Sequence, residues 1–176
     1  MPRYLKDVNR NWEADDIQRM LDREWSAEHK AAIVVLYLSG ARPSEVLPLK
    51  RSDFEFSGDD VRISFRTLKG GLPRTLVFDR WATPFIPFLS AFVAGLKGDD
   101  LFRFKNDSTL RKIVYHASEG LATPYSFRHN RLYKLAREGA DVFELADIKG
   151  SKSIESVRPY VVRAGQASDK FKRSIK

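Results

Sequence analysis

Apolar positions at Ile17, Met20 and Leu21 recur at helical spacing, and Asp15 and Asp16 ahead of them suit the positive end of a helix dipole. A short amphipathic helix over 12–21 is predicted. Next, Ser26 offers an N-cap, Ala31 to Leu38 is apolar on every side, and Gly40 supplies a stop. Such a helix belongs in the middle of a core. Pro43 fits the first turn of a short helix over 44–47, which runs on into 49–54. Between 61 and 78 the period changes to two: Val61, Ile63 and Phe65, then Leu76 and Phe78, flank Thr67-Leu-Lys-Gly-Gly-Leu-Pro73. That alternation around paired glycines predicts a β-hairpin with Lys69 beside its turn.

Helical signals then return. A helix over about 82–94 holds Pro84 and Pro87 only in its early part, and 95–100 reads as a loop. Asn106 or Asp107 caps a helix reaching 118, with Leu110, Ile113, Val114 and Ala117 as its buried stripe. After Thr123 three closely spaced helices follow: Pro124 to Gly139, 142–148 before Gly150, and one from about Ser153 past Tyr160. The fold class is α+β, mainly helical, with a small antiparallel hairpin or sheet.

Composition narrows the functional classes. The 176 residues suit one well-cored domain, and the absence of Cys excludes a disulfide scaffold or thiolate metal site. Its apolar runs are too short for a membrane span, so a soluble, cytoplasmic protein without membrane partner is expected. The net charge of +8 is unevenly placed: residues 1–100 hold 15 basic and 15 acidic side chains, residues 101–176 hold 16 and 8. A basic excess confined to one part of a domain points to a polyanion, nucleic acid first, or else to a solvated basic face.

Four pieces of the chain, in order, resemble the catalytic domain of the tyrosine recombinase (phage integrase) family. Ser39-Gly-Ala-Arg-Pro-Ser-Glu-Val-Leu-Pro-Leu49 is similar to the box around the family's first arginine, which falls on Arg42. Thr67 to Arg74 resembles the catalytic lysine turn, with Lys69 in that role. Thr123-Pro-Tyr-Ser-Phe-Arg-His129 resembles the H-x-x-R box, with the second arginine at Arg128. Ile148 to Tyr160 looks like the final box, in which a nucleophilic Tyr follows Gly150. Two positions depart: Tyr125 stands for the usual His, and Ser151 for the usual His or Trp. Both departures remove a ring nitrogen, and the Tyr-x-x-Arg form looks like a variant among archaeal plasmid and virus integrases.

The resemblance implies the family's catalytic-domain fold over 1–163 and a basic tail over 164–176 carrying Phe171 and Ile175; the separate N-terminal DNA-clamping domain that the family normally has is expected to be absent from this chain. It implies site-specific cleavage and rejoining of double-stranded DNA through a 3′-phosphotyrosyl link, self-association on DNA, nucleoid association, and no cofactor. The implied roles are Tyr160 as nucleophile, Arg42 and Arg128 as phosphate clamps, Lys69 as general acid, and Tyr125 and Ser151 as hydrogen-bonding substitutes for imidazoles. Glu45 steadies Arg42, His129 could orient groups of the site, and Lys149, Lys152 and Arg158 are candidate DNA contacts.

The chemistry has its own logic. Two guanidinium forks suit the oxygens of a phosphodiester under attack, and nearby cations favour the phenolate that must attack. An ammonium at a turn can protonate the leaving oxygen. Metal-dependent cleavage would need converging carboxylates, whereas Asp15-Asp16, Asp59-Asp60 and Asp99-Asp100 are sequence neighbours whose side chains diverge; no metal is expected. Without an imidazole base at 125 or 151, cleavage is expected to improve at mildly alkaline pH.

Each residue also has a plainer reading. Arg42 could be a surface arginine, Lys69 a turn lysine, Tyr125 a staple for its helix, and Tyr160 a packing tyrosine beside Ile154, Val157 and Val161. Two functional alternatives stay open: a catalytically impaired DNA-binding module of the same fold, and a type IB topoisomerase-like relaxing enzyme.

Overall fold

The computed structural model describes residues 11–66, 71–78 and 84–165. Lys69 and the tail carrying Phe171 and Ile175 lie outside the described residues.

The helices form where periodicity and caps agree. Helix α1 (Ala14–Arg23) buries Ile17, Met20 and Leu21 and opens with Asp15 and Asp16 in its first turn. Helix α2 (Ala27–Ser39) is capped by Ser26 and ended by Gly40 in the left-handed region. Ala31 to Leu36 are all fully buried, because α1, α4 (Ile86–Ala94), α5 (Asp107–Ala117) and α6 (Pro124–Glu138) surround α2. Short α3 (Pro43–Val46) follows with Pro43 in its first turn. Asn130 of α6 ties the chain entering α1 to this core: its Oδ1 accepts from Trp12 N–H at 2.8 Å and its Nδ2 donates to Trp12 C=O at 3.1 Å.

The sheet has three antiparallel strands in the order β1 (Phe54–Ser57), β2 (Asp60–Phe65), β3 (Arg74–Phe78). Register pairs Phe54 with Ile63 and Ile63 with Leu76, aligning their side chains on the core face. The hairpin expected over 61–78 is therefore β2–β3. The helix expected to run on through 49–54 is replaced by a 3-10 turn at Arg51–Asp53 and by β1. Asp53 caps the start of the turn by accepting from Lys50 N–H at 2.9 Å, and the alternating Phe54-Glu-Phe-Ser then pairs with β2.

A second, smaller core lies between α6, α7 (Val142–Lys149) and α8 (Arg158–Arg163), built from Leu132, Ala136, Leu145, Ala146 and Val157. Helix α8 begins at Arg158, later than the Ser153 start expected from periodicity. The Ser151 hydroxyl donates to Ser153 C=O at 3.1 Å and meets the Ser156 hydroxyl at 2.9 Å. These side-chain bonds to the backbone hold 151–156 in a turn, and Pro159 is accommodated at the start of α8.

Candidate active site

Arg42 sits between the close-packed end of α2 and the start of α3. A Cβ added at Gly40, where φ is +60°, would lie 3.0 Å from Arg131 Cβ and 3.4 Å from Arg128 Cα, so this glycine lets the loop lie against α6. Arg42 N–H donates to Glu45 Oε2 at 2.8 Å, and its guanidinium lies 3.9 Å from Glu45 Oε1. The Arg42 side chain keeps 34% of its exposure. Its fork remains open to an incoming anion.

Arg128, on the second turn of α6, is only 5% exposed. Its Nη1 donates to Gly40 C=O at 2.8 Å and its Nη2 to Lys149 C=O at 3.1 Å, so one guanidinium holds the carbonyl ends of α2 and α7. Helix C-termini carry partial negative charge, which offsets part of the cost of burying this cation. Burial, and next the charge of Arg42, push its pKa down to about 10; Arg74 adds to the fall, while Glu45 and Tyr160 oppose it. Lys149 is lowered by burial and then by the charges of Arg128 and Arg42. Arg42, Arg128 and Lys149 therefore form one mutually repelling cluster, which the Glu45 carboxylate, already held by Arg74, only partly offsets.

Tyr160, near the start of α8, is half-buried against the smaller core. Its hydroxyl lies 2.6 Å from His129 Nδ1, the ring beside Arg128 on α6. Burial raises the Tyr160 phenol above its ordinary range, with the Arg128 charge pulling the other way. His129 is lowered by burial and then by Arg128, Lys149 and Arg163, all cations that disfavour imidazolium.

Reading the residues in isolation missed Arg74. Its Nη1 and Nη2 donate to the two carboxylate oxygens of Glu45 at 2.7 and 3.1 Å, its Nε donates to Ile148 C=O at 2.7 Å, and its guanidinium stacks on Phe65. One buried side chain thus joins β3, α3 and the end of α7. For Glu45, burial alone would raise the pKa; the Arg74 and Arg42 hydrogen bonds and the Arg74 and Arg128 charges outweigh it and hold the carboxyl below the usual range. Glu45 is tied more closely to Arg74 than to the Arg42 guanidinium it was expected to steady. A signal existed: period two puts Arg74 on the face of Leu76 and Phe78, where an arginine must be paired.

Of the other expected site residues Lys149 belongs to the cluster with Arg42 and Arg128, while Tyr125, Lys152 and Arg158 are exposed. Tyr125 is exposed, with the Arg111 guanidinium 5.9 Å from its ring, and it lines a groove of about 440 Å³ with Pro43, Ser44, Leu47, Pro48, Lys105 and Asp107. Ser151 uses its hydroxyl within the turn. Lys149 Nζ donates to Ser156 C=O at 3.1 Å, Lys152 is exposed, and Arg158 pairs with Glu155 at 3.5 Å. Among the described residues no group of three or more His, Asp or Glu side chains is placed to hold a metal ion. No described helix is long and apolar enough to cross a membrane.

The structure is a mainly helical domain in which buried Arg128 lies among the cations Arg42, Arg74 and Lys149 and next to the His129–Tyr160 contact. The chain belongs to the phage integrase family, whose profile matches residues 10–166. It is 27% identical over 177 residues to tyrosine recombinase XerC of Rickettsia bellii strain OSU 85-389, covering 91% of this chain and 55% of the relative. The chain thus spans about half the length of the curated relatives it matches.

Solved structures share the fold. The XerH site-specific recombinase bound to its difH substrate in a pre-cleavage complex superposes with a TM-score of 0.70 at 19% identity, over 89% of this chain and 51% of that one. The XerA recombinase gives 0.69 at 21% identity, over 92% and 62%. The catalytic domain of bacteriophage HP1 integrase gives 0.59 at 22%, over 85% and 84%.

Proposed function

We propose that this chain carries the strand-cleaving and rejoining chemistry of a site-specific DNA recombinase. The observation that carries the reading is the position of buried Arg128, which holds Gly40 C=O just ahead of Arg42 and Lys149 C=O, and is followed in the chain by His129, whose ring meets Tyr160 Oη. In this reading a DNA phosphate enters the cation cluster and Arg42 and Arg128 hold its non-bridging oxygens. Tyr160 Oη forms the new bond to phosphorus as the bond to the 5′ oxygen breaks, and Lys69 supplies the proton that oxygen takes. The 3′ phosphate stays on Tyr160 until the 5′ hydroxyl attacks it in reverse, so rejoining needs no external energy source.

Lys149 supports the phosphate from the end of α7, and Lys152 and Arg158 contact flanking DNA. Tyr125 and Ser151 are hydrogen-bonding groups at positions where the family usually has rings, and protomers associate on DNA. The family membership and the DNA-bound XerH neighbour support this assignment of partner.

The test is covalent capture on nicked duplexes with randomised flanks, which lose a short 5′ strand after cleavage and trap the adduct. Wild type is expected to form a denaturant-stable protein–DNA species that Tyr160→Phe does not. Salt-dependent binding with no adduct from wild type at any pH would instead establish the non-cleaving DNA-binding module. Relaxation of arbitrary supercoiled plasmid by a single protomer would establish the topoisomerase-like alternative.

A further inference from the structure

The Tyr160 hydroxyl meets an imidazole that comes from neither position where the family places its rings. His129 Nδ1 lies 2.6 Å from Tyr160 Oη, the rings being tilted by 36° with centroids 5.8 Å apart. The contact joins α6 to α8 across 31 residues of chain, and the smaller core holds the two helices together. We propose that His129 is the base of the cleavage step, taking the Tyr160 proton on Nδ1 as Tyr160 Oη bonds to phosphorus. This rests on the strand-transfer reading above and adds to it the group that receives the nucleophile's proton.

The proton balance closes. Neutral His129, protonated on Nε2, accepts from Tyr160 and becomes imidazolium; the departing 5′ oxygen takes its proton from Lys69. On rejoining, the 5′ hydroxyl returns a proton to Lys69 and Tyr160 recovers its own from His129. The charges facing the imidazole set the direction of each transfer. Arg128 on α6, Lys149 on α7 and Arg163 on α8 all raise the cost of imidazolium, so without DNA the proton stays on Tyr160. A phosphate bound among the same cations offsets that cost. When the phosphate is again a diester and leaves, the repulsion returns.

An imidazole at 129 also alters the expectation of an alkaline optimum, which followed from its lack at 125 and 151. A base lowered by its surroundings is already neutral at pH 7, so wild-type cleavage should not need alkali.

The experiment compares wild type with His129→Asn, whose side-chain oxygen can accept the Tyr160 hydrogen bond without taking the proton in this pH range. Single-turnover adduct formation is measured from pH 6 to 9 on the captured substrate and on the same duplex with sulfur at the scissile 5′ position. Sulfur leaves without protonation, which rescues a missing acid and not a missing base. The expected result is a loss of about 10²–10⁴-fold for His129→Asn at pH 7. The residual rate should climb with pH, DNA affinity should be unchanged, and sulfur should give no rescue.

A His129→Asn rate within about threefold of wild type with the same pH profile, or full rescue by sulfur, overturns the proposal while Tyr160-dependent adducts uphold the function. Absence of adduct from wild type overturns both. A second readout needs no His129 variant: the Nδ1 nitrogen resonance of wild type should shift in Tyr160→Phe, and an unmoved resonance counts against the contact.

Discussion

Arg74 and Glu45, 29 residues apart in the chain, meet as a two-pronged ion pair in which the Arg74 and Glu45 side chains are 7% and 3% exposed. It places the end of the lysine-bearing hairpin against α3, the helix that Arg42 precedes. Removing one partner leaves an uncompensated buried charge. Arg74→Met should lower stability by about 3–5 kcal/mol at pH 7, measured by urea unfolding. The wild-type pair depresses Glu45, so its contribution is present above the ordinary carboxylate pKa and lost as pH falls through the folded value. The defect of Arg74→Met should accordingly shrink below about pH 4, where the stranded carboxyl is protonated. A defect of equal size at both pH values would contradict the charge argument.

The repulsion within Arg42, Arg128 and Lys149 predicts linkage to anions. Sulfate should raise the melting temperature of wild type by several degrees, roughly what one to two kcal/mol delivers, relative to chloride at matched ionic strength. Arg42→Ala should remove most of that difference. Equal sulfate responses in the two proteins would show that the anion binds elsewhere.

Arg128→Lys keeps the charge and loses the fork. A lysine cannot hold Gly40 C=O and Lys149 C=O while also presenting donors to a phosphate. Adduct formation should fall by roughly 10²-fold or more. A near-wild-type rate would show that point charge alone is sufficient.

Two glycines separate backbone strain from crowding. Gly139 has φ of +112° and open space where a methyl would sit, so Gly139→Ala should cost about 1–2 kcal/mol. At Gly150, with φ of +71°, the added carbon would lie 2.6 Å from Arg74 Nη1 and 3.2 Å from Leu72 C=O. Gly150→Ala should cost a further ~1–3 kcal/mol and slow adduct formation by displacing Arg74. Indistinguishable melting temperatures for the two variants would remove the crowding argument.

The lowered His129 has a signature in stability. Because its folded pKa is depressed, its contribution is present above the ordinary imidazole pKa of about 6.5 and is lost as pH falls from there through the folded value. Urea midpoints for wild type should therefore decline as pH falls below about 6.5 more steeply than for His129→Asn. Parallel curves would assign the acid sensitivity to other groups.

Much of this was legible in residue order. Helical stripes and caps gave α1, α2, α5, α6 and α7 because each carries its own buried face and its own stop, as with Ser26 and Gly40 around α2. Strand β1 was hidden, since the four residues Phe54–Ser57 alternate too briefly to overrule a helical run ahead of them and need β2 to become a strand. The start of α8 was hidden for a different reason: Ile154 and Val157 keep helical spacing, while the hydroxyls of Ser151 and Ser156 bend the backbone between them. Arg42, Arg128 and Tyr160 stood out through motif spacing. The partnership of His129 with Tyr160 did not, because a contact between α6 and α8 depends on how the smaller core sets one helix on the other.

That smaller core has a dynamic consequence. Helix α8 has no fully buried residue of its own, whereas α2 buries eight. Local opening free energy follows buried contact, so amide hydrogens of α8 should exchange through openings far smaller than global unfolding, while those of α2 exchange only when the whole domain opens. The tyrosine is then borne on a helix without a buried residue of its own, and Arg128 on one with seven. Under the proposed strand-transfer reading, a nucleophile that can leave and return without disturbing the arginines can be withheld until DNA arrives.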